Sequence, residues 1–290
     1  MRFATAISNG QPALWAADDR GYHCVNELAV RHLRADLAGL TDVGGLFESG
    51  LVGEVADLIA GAGEGRAIGE LELLPPILRP RAIVCVGRNY VEHVREGGVE
   101  LPPEPLLFAK YSNTLVPDGA RVPYPSITTQ LDYEGELALV IGKRARALTE
   151  AEAWDCIGGY TIINDISARD LQDSDMQWIR GKSLDAFAPM GPCIVTPDEI
   201  GDVDQLRIRT LVNGEVRQDC LTSEMHFKIP GLLAFITQGI TLQPGDIVAT
   251  GTPSGVGLGF SPPKYLKIGD RVEVSITAIG SLNCEIVDRQ

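Results

Sequence analysis

The chain has 290 residues, 44% of them hydrophobic and 22% charged, a balance that suits an ordinary globular protein and excludes a disordered one. Its formal net charge of −14 repels phosphate backbones and anionic lipid, so neither nucleic acid nor a membrane surface is an expected partner. No stretch approaches the roughly 18 uninterrupted apolar residues of a membrane span.

The N-terminal Arg2-Phe3-Ala4-Thr5-Ala6-Ile7 alternates like a strand and meets Asn9-Gly10, a pair suited to a tight hairpin. The same N-terminus lacks the apolar stretch of a signal peptide, so the cytoplasm is the expected compartment. Apolar residues then recur at helical spacing over 27–40 and 51–60, with Gly44-Gly45 between the two predicted helices. Glycines 61, 63 and 65, followed by Pro75, Pro76 and Pro80, punctuate a linker. A small α/β unit over 1–75 and a main unit over 76–290 are therefore expected.

Beyond residue 75, β-branched runs predict strands at 82–86, 137–141, 159–163, 194–195, 206–212, 215–219, 247–250 and 272–276. Asn213-Gly214 predicts a second hairpin, and turns at Pro244-Gly245-Asp246 and Ile268-Gly269-Asp270 each launch a strand. Helices are expected at 149–156, where Thr149 and Glu152 form a capping box, and near 226–238. The fold class is α+β, mainly β, with a barrel or rolled pair of sheets. Six cysteines, with no CxxC pair among them, read as reduced and mostly buried thiols.

In Asp132-Tyr133-Glu134-Gly135-Glu136 the carboxylates fall at i, i+2 and i+4 before the apolar run 137–141. On a strand that spacing sets all three on one face, where either a cation or open solvent must answer their repulsion. Asp165 ends another apolar run and is followed closely by Arg169 and Gln172, a polar cluster of the kind that lines clefts. Carboxylates without His or Cys suit Mg²⁺ or Mn²⁺ and disfavour zinc.

Gly87-Arg88-Asn89-Tyr90 follows the strand 82–86, and His93 and Glu96 come next, one helical turn apart. Such a pair either activates water or forms a surface hydrogen bond, and the glycines and prolines at 97–103 allow a mobile lid. Lys182 stands between Gly181 and Ser183, by itself no more than a surface lysine. Thr250-Gly251-Thr252-Pro253-Ser254-Gly255 can offer backbone N–H groups and the Thr252 hydroxyl to a carboxylate. Pro262-Pro263 stand where a dinucleotide-binding helix would continue, which excludes a Rossmann loop.

Together these five motifs resemble the fumarylacetoacetate hydrolase family over about residues 78–288. The resemblance implies the family's mixed β-roll, a homodimer, and Mg²⁺ or Mn²⁺ held by Glu134, Glu136 and Asp165. It further implies His93 and Glu96 as the water-activating pair, Lys182 as a catalytic lysine beside the metal, and Arg88, Tyr90, Arg169, Gln172 and Thr252 as substrate-binding residues. The N-terminal segment resembles that of bacterial members assigned to aromatic or sugar-acid catabolism.

The chemistry so implied is cleavage of a C–C bond in a 2,4-dioxo acid, such as an acylpyruvate, fumarylpyruvate or a diketo sugar acid, through a metal-bound enolate. Oxaloacetate decarboxylation and isomerisation of a 2-hydroxy-dienoate use the same enolate and stand as alternatives. A non-catalytic metal-binding protein is a third class, disfavoured because the acid, base and cationic positions are all present. The expected ligand throughout is a small anionic 2-oxo or 1,3-dicarbonyl compound.

Overall fold

In the computed structural model, residues 1–289 are described. A large mixed sheet orders its strands as Gly21–Cys24, Gln11–Asp18, Arg2–Ser8, Ala188–Val195, Ile157–Asn164, Gly135–Ile141, Ile247–Ala249, Ile83–Gly87 and Leu106–Ala109. A second sheet runs Glu215–Leu221, Arg207–Val212, Arg271–Ile276, Gly280–Val287 and Ala120–Pro123. The centres of the two sheets pack face to face, which makes the α+β, mainly β roll that the sequence led us to expect.

The central strand Gly135–Ile141 is buried along its whole length. Leu137, Leu139 and Ile141 face one apolar cluster together with Ile208, Val274 and Leu282 of the second sheet. Ala138 and Val140, pointing the other way, join a cluster that includes Phe3, Val25, Leu46, Phe47, Val55 and Ile59. The N-terminal residues therefore cover the far face of the central sheet, and this two-sided burial is why 137–141 reads as a continuous apolar run. The Arg2–Ser8 strand pairs with Ala188–Val195, so the sheet itself continues across the linker expected near residue 75.

Both Asn-Gly hairpins form, with Asn9 and Gly10 at φ 51° and 75° and Asn213 and Gly214 at φ 53° and 81°. The Thr149–Glu152 capping box opens the helix Glu150–Ala153. Two local expectations fail. The helix expected over 27–40 is broken into Val25–Arg31 and Ala35–Ala38 by Leu33, whose φ is 57°. Gly44-Gly45 does not separate helices but lies inside Val43–Ser49, because the Asp42 side chain accepts the Gly45 N–H at 2.9 Å and caps it. The other oxygen of Asp42 accepts the Leu78 N–H at 2.8 Å, tying this helix to the start of the main sheet.

Phe47 meets Phe3 edge-on with ring centres 6.4 Å apart, and a Cβ on Gly158 would lie 2.7 Å from its ring. Phe47→Ala should therefore cost about 3–5 kcal/mol in denaturant unfolding. A loss below about 0.5 kcal/mol would show that the N-terminal helices do not help hold the central sheet.

Candidate active site and metal centre

One end of the large sheet gathers the chemistry. The parallel strands Ile83–Gly87 and Ile247–Ala249 both finish there, Ile157–Asn164 finishes beside them, and Gly135–Ile141 begins there. Glu134, Glu136 and Asp165 leave this edge buried, with one oxygen from each within 4.8 Å of the others. Backbone bonds fix their spacing: the Asp165 N–H donates to the Glu134 carbonyl at 2.8 Å, and the Glu134 N–H donates to Asn164 Oδ1 at 3.0 Å.

Three buried cations surround these acids. Lys182 Nζ donates to Glu134 Oε2 at 2.7 Å and to Asp165 Oδ2 at 2.9 Å. Lys110 Nζ donates to Asp165 Oδ1 at 2.6 Å and to the carbonyls of Ile166 and Lys182. Arg169 spans Glu134 Oε1 at 2.7 Å and Asp132 Oδ2 at 2.9 Å. Burial works to raise the Glu134 pKa, yet the charges of Lys182 and Arg169 overcome it and hold the carboxyl at about 2. Burial likewise works against the Lys182 ammonium, but Asp165 and Glu134 reverse the effect and raise its pKa. Burial lowers the Lys110 pKa, with Asp165 opposing.

Above the carboxylates lies a cleft of about 270 Å³, lined by Glu134, Glu136, Arg88, His93, Arg169, Gln172, Lys182 and Thr252 among others. Grooves of greater volume, such as that between Arg121 and Arg289, bring no such ligand cluster together. His93 sits on the short helix Val91–Glu96, and its Nδ1 lies 3.4 Å from Glu96 Oε2. Glu96 accepts the Gly255 N–H at 3.0 Å, and Gly259 is packed so tightly on it that a Cβ there would fall 2.0 Å from its carboxyl. The strand-loop 250–259 therefore holds the His–Glu pair in place.

The structure separates residues that the sequence grouped. Asp132 is not on the face of Glu134 and Glu136, because 131–132 pairs with 167–168 in a ladder of its own and the long strand starts only at Gly135. Its carboxylate binds Arg169 and accepts the N–H groups of Gly257 and Leu258 at 2.6 and 3.0 Å. Tyr90 is packed into the apolar core rather than along the cleft, with its hydroxyl unpartnered among the described residues. Thr252 lines the cleft, but its hydroxyl donates to the Gly135 carbonyl at 3.1 Å and accepts from Gln218. Lys110 escaped the sequence reading, although it ends an apolar run just as Asp165 does.

Among the described residues, Glu136 alone of the three carboxylates has no cationic partner; its oxygen accepts only the Gly251 N–H, at 2.8 Å. Burial, reinforced by the charges of Asp165 and Glu134, pushes its pKa well above the usual carboxylate range. A hard divalent cation such as Mg²⁺ or Mn²⁺ fits this all-oxygen set and would supply the charge that Glu136 lacks. In the metal-free fold Glu136 keeps its proton to higher pH than in the unfolded chain, so it costs stability as pH rises beyond the unfolded value. Metal uptake would displace that proton, so affinity should rise with pH. Mn²⁺ at a hundredfold excess over its Kd should raise Tm by about 4–5 °C, and the increment should grow between about pH 5 and pH 8. Glu136→Gln should remove the increment; an undiminished one would place the metal elsewhere.

The sequence profile described as "Fumarylacetoacetate (FAA) hydrolase C-terminal" matches residues 82–287. Oxaloacetate tautomerase YisK of Bacillus subtilis is 46% identical over 224 residues, covering 76% of this chain and 74% of that protein. The crystal structure of a putative HpcE protein from Mycobacterium smegmatis superposes with a TM-score of 0.88 at 29% identity, with full coverage of both chains. Maleylpyruvate hydrolase from Sphingobium sp. SYK-6, in complex with manganese(II) and pyruvate, superposes at 0.81 with 27% identity, again over both whole chains. The chain belongs to the fumarylacetoacetate hydrolase family.

Proposed function

We propose that this protein is a metal-dependent enzyme that interconverts the enol and keto forms of a small 2-oxo acid. The observation that carries the proposal is the meeting, in one small cleft, of an oxygen-only carboxylate cluster, a buried ammonium and a carboxylate-backed imidazole. The identity of 46% with a protein named as an oxaloacetate tautomerase supports this reaction over the C–C hydrolysis placed first on sequence grounds.

Mg²⁺ or Mn²⁺ held by Glu134, Glu136 and Asp165 would act as a Lewis acid, drawing electron density from the carboxylate and 2-oxo group of the substrate. Lys182 lies within 2.9 Å of two of those acids and lines the cleft, so its positive charge faces the oxygen on which negative charge gathers. His93 directs Nδ1 toward Glu96, which leaves Nε2 to carry a proton to and from the carbon next to the 2-oxo group. Glu96 offsets the charge of the imidazolium during that transfer. Arg169 Nη2 has no partner among the described residues and needs an acceptor oxygen, which a substrate carboxylate provides.

Hydrolysis of an acylpyruvate is the second reading, favoured by the same His93–Glu96 pair, whose geometry also suits activation of a water. Oxaloacetate decarboxylation is tested alongside. Oxaloacetate delivered as its enol should lose enol absorbance faster with protein and Mg²⁺, with EDTA abolishing the effect. Neither pyruvate nor CO₂ should appear in step, and His93→Ala should slow the reaction by about 10²–10⁴-fold. Pyruvate and an organic acid released from acetylpyruvate, without enol decay, would establish the hydrolase and overturn the tautomerase. CO₂ release matching oxaloacetate loss would establish the decarboxylase.

A further inference from the structure

Gly135 stands between two of the three clustered acids, Glu134 and Glu136, and on one side it has no strand to pair with. Ile247–Ala249, the neighbour there, pairs only with Ala138–Val140, so the N–H and carbonyl of Gly135 need partners from elsewhere. Side chains supply them. The N–H donates to Gln218 Oε1 at 3.0 Å, and the carbonyl accepts the Thr252 hydroxyl at 3.1 Å. Gln218 Nε2 in turn donates to Thr252 Oγ1 and to the Pro253 carbonyl, both at 2.8 Å. One buried amide thereby joins the segment 134–136 to the loop whose Gly251 N–H is the partner of Glu136.

Gln218 comes from the other layer of the fold. It lies on Glu215–Leu221, the edge strand of the second sheet, and is buried while its neighbours along that strand are exposed or half-buried. Thr210 faces Gln218 but Leu211 faces Val216, so Arg217 is an extra residue, and a bulge of this kind re-aims the side chain that follows it. A Cβ on Gly135 would stand 2.3 Å from Thr210 Oγ1 and 2.8 Å from a Val274 methyl, so only glycine lets the second sheet come this close. Glycine is also the residue type with the most backbone freedom, and here it sets the separation of two carboxylates. Gln218 is not among the residues that line the cleft, so its influence on the site passes through Gly135 and the loop 251–253.

We infer that Gln218 is a positioning residue: by fixing the Gly135 peptide it sets the spacing of the Glu134 and Glu136 carboxylates, and so makes the site select a small octahedral cation over calcium. The inference rests on the metal site described above. Mg²⁺ demands oxygens at about 2.0–2.1 Å in near-ideal octahedral geometry, whereas Ca²⁺ accepts about 2.3–2.6 Å and variable arrangements. A loosened Gly135 therefore costs Mg²⁺ more than Ca²⁺.

The test is metal binding to the metal-stripped protein, with Mn²⁺ followed by its EPR signal and then displaced by Mg²⁺ or Ca²⁺. Gln218→Met, which keeps the length of the side chain without its hydrogen bonds, should weaken Mn²⁺ by roughly tenfold to a hundredfold. It should also lower the preference for Mg²⁺ over Ca²⁺. Gln218→Glu keeps the acceptor for Gly135 and loses the donors; its added charge attracts both divalent ions alike, so the preference is its readout and should fall too. Phe47→Ala, which loosens the fold on the far face of the sheet, should leave affinity and preference unchanged. Gln218 variants that lose Tm but keep both the Mn²⁺ affinity and the preference would overturn the inference and make Gln218 a structural residue. Should the unaltered protein and Glu136→Gln bind Mn²⁺ equally well, the metal site itself is misplaced and the inference falls with it.

Discussion

Three carboxylates with an oxygen of each within 4.8 Å of the others and out of solvent cannot all be ionised unless positive charge is brought to them. Most of what is unusual in this chain answers that constraint. Two lysines and an arginine, residue types that rarely lie fully inside a protein, are buried around the cluster and hydrogen-bonded to it. They satisfy Glu134 and Asp165 and leave Glu136 wanting, an arrangement that a divalent cation would complete. Losing any one of the three protein cations would leave an uncompensated buried charge, which is costlier than losing a surface pair.

The fold delivers these groups by ending its strands together. Arg88, Asp165 and Thr250 each follow the last residues of an apolar strand, and Glu134 precedes the first residue of another. A rigid sheet buried on both faces gives such termini fixed positions, and the N-terminal helices contribute by covering the second face. Asp132 links this framework to the loop above it: one carboxylate holds Arg169 against Glu134 and also accepts two N–H groups of the loop 257–258. The clamp on Glu134 and the loop that seats Glu96 are thereby parts of one hydrogen-bonded unit.

The central strands, both hairpins and the three acids that cluster were legible because each is written locally, as an apolar run, an Asn-Gly pair, or acids abutting such a run. What was not legible depends on distant partners. The helix Val43–Ser49 contains two adjacent glycines and exists because Asp42 caps it and anchors it to Leu78. Lys110 looks like any lysine after a strand until Asp165, far along the chain, is placed against it. Tyr90, next to cleft residues in sequence, turns into the core because the chain there pairs with Met225. The carboxylate spacing at 132, 134 and 136 suggested one shared face, but a break in pairing after Asp132 sends that residue to a separate role.

The most direct test of the metal centre is anomalous diffraction from crystals of the protein grown with Mn²⁺. The account predicts one strong peak per chain within bonding distance of Glu134, Glu136 and Asp165. A fully occupied peak elsewhere, with Lys182 still bridging Glu134 and Asp165 and no density beside Glu136, would contradict it.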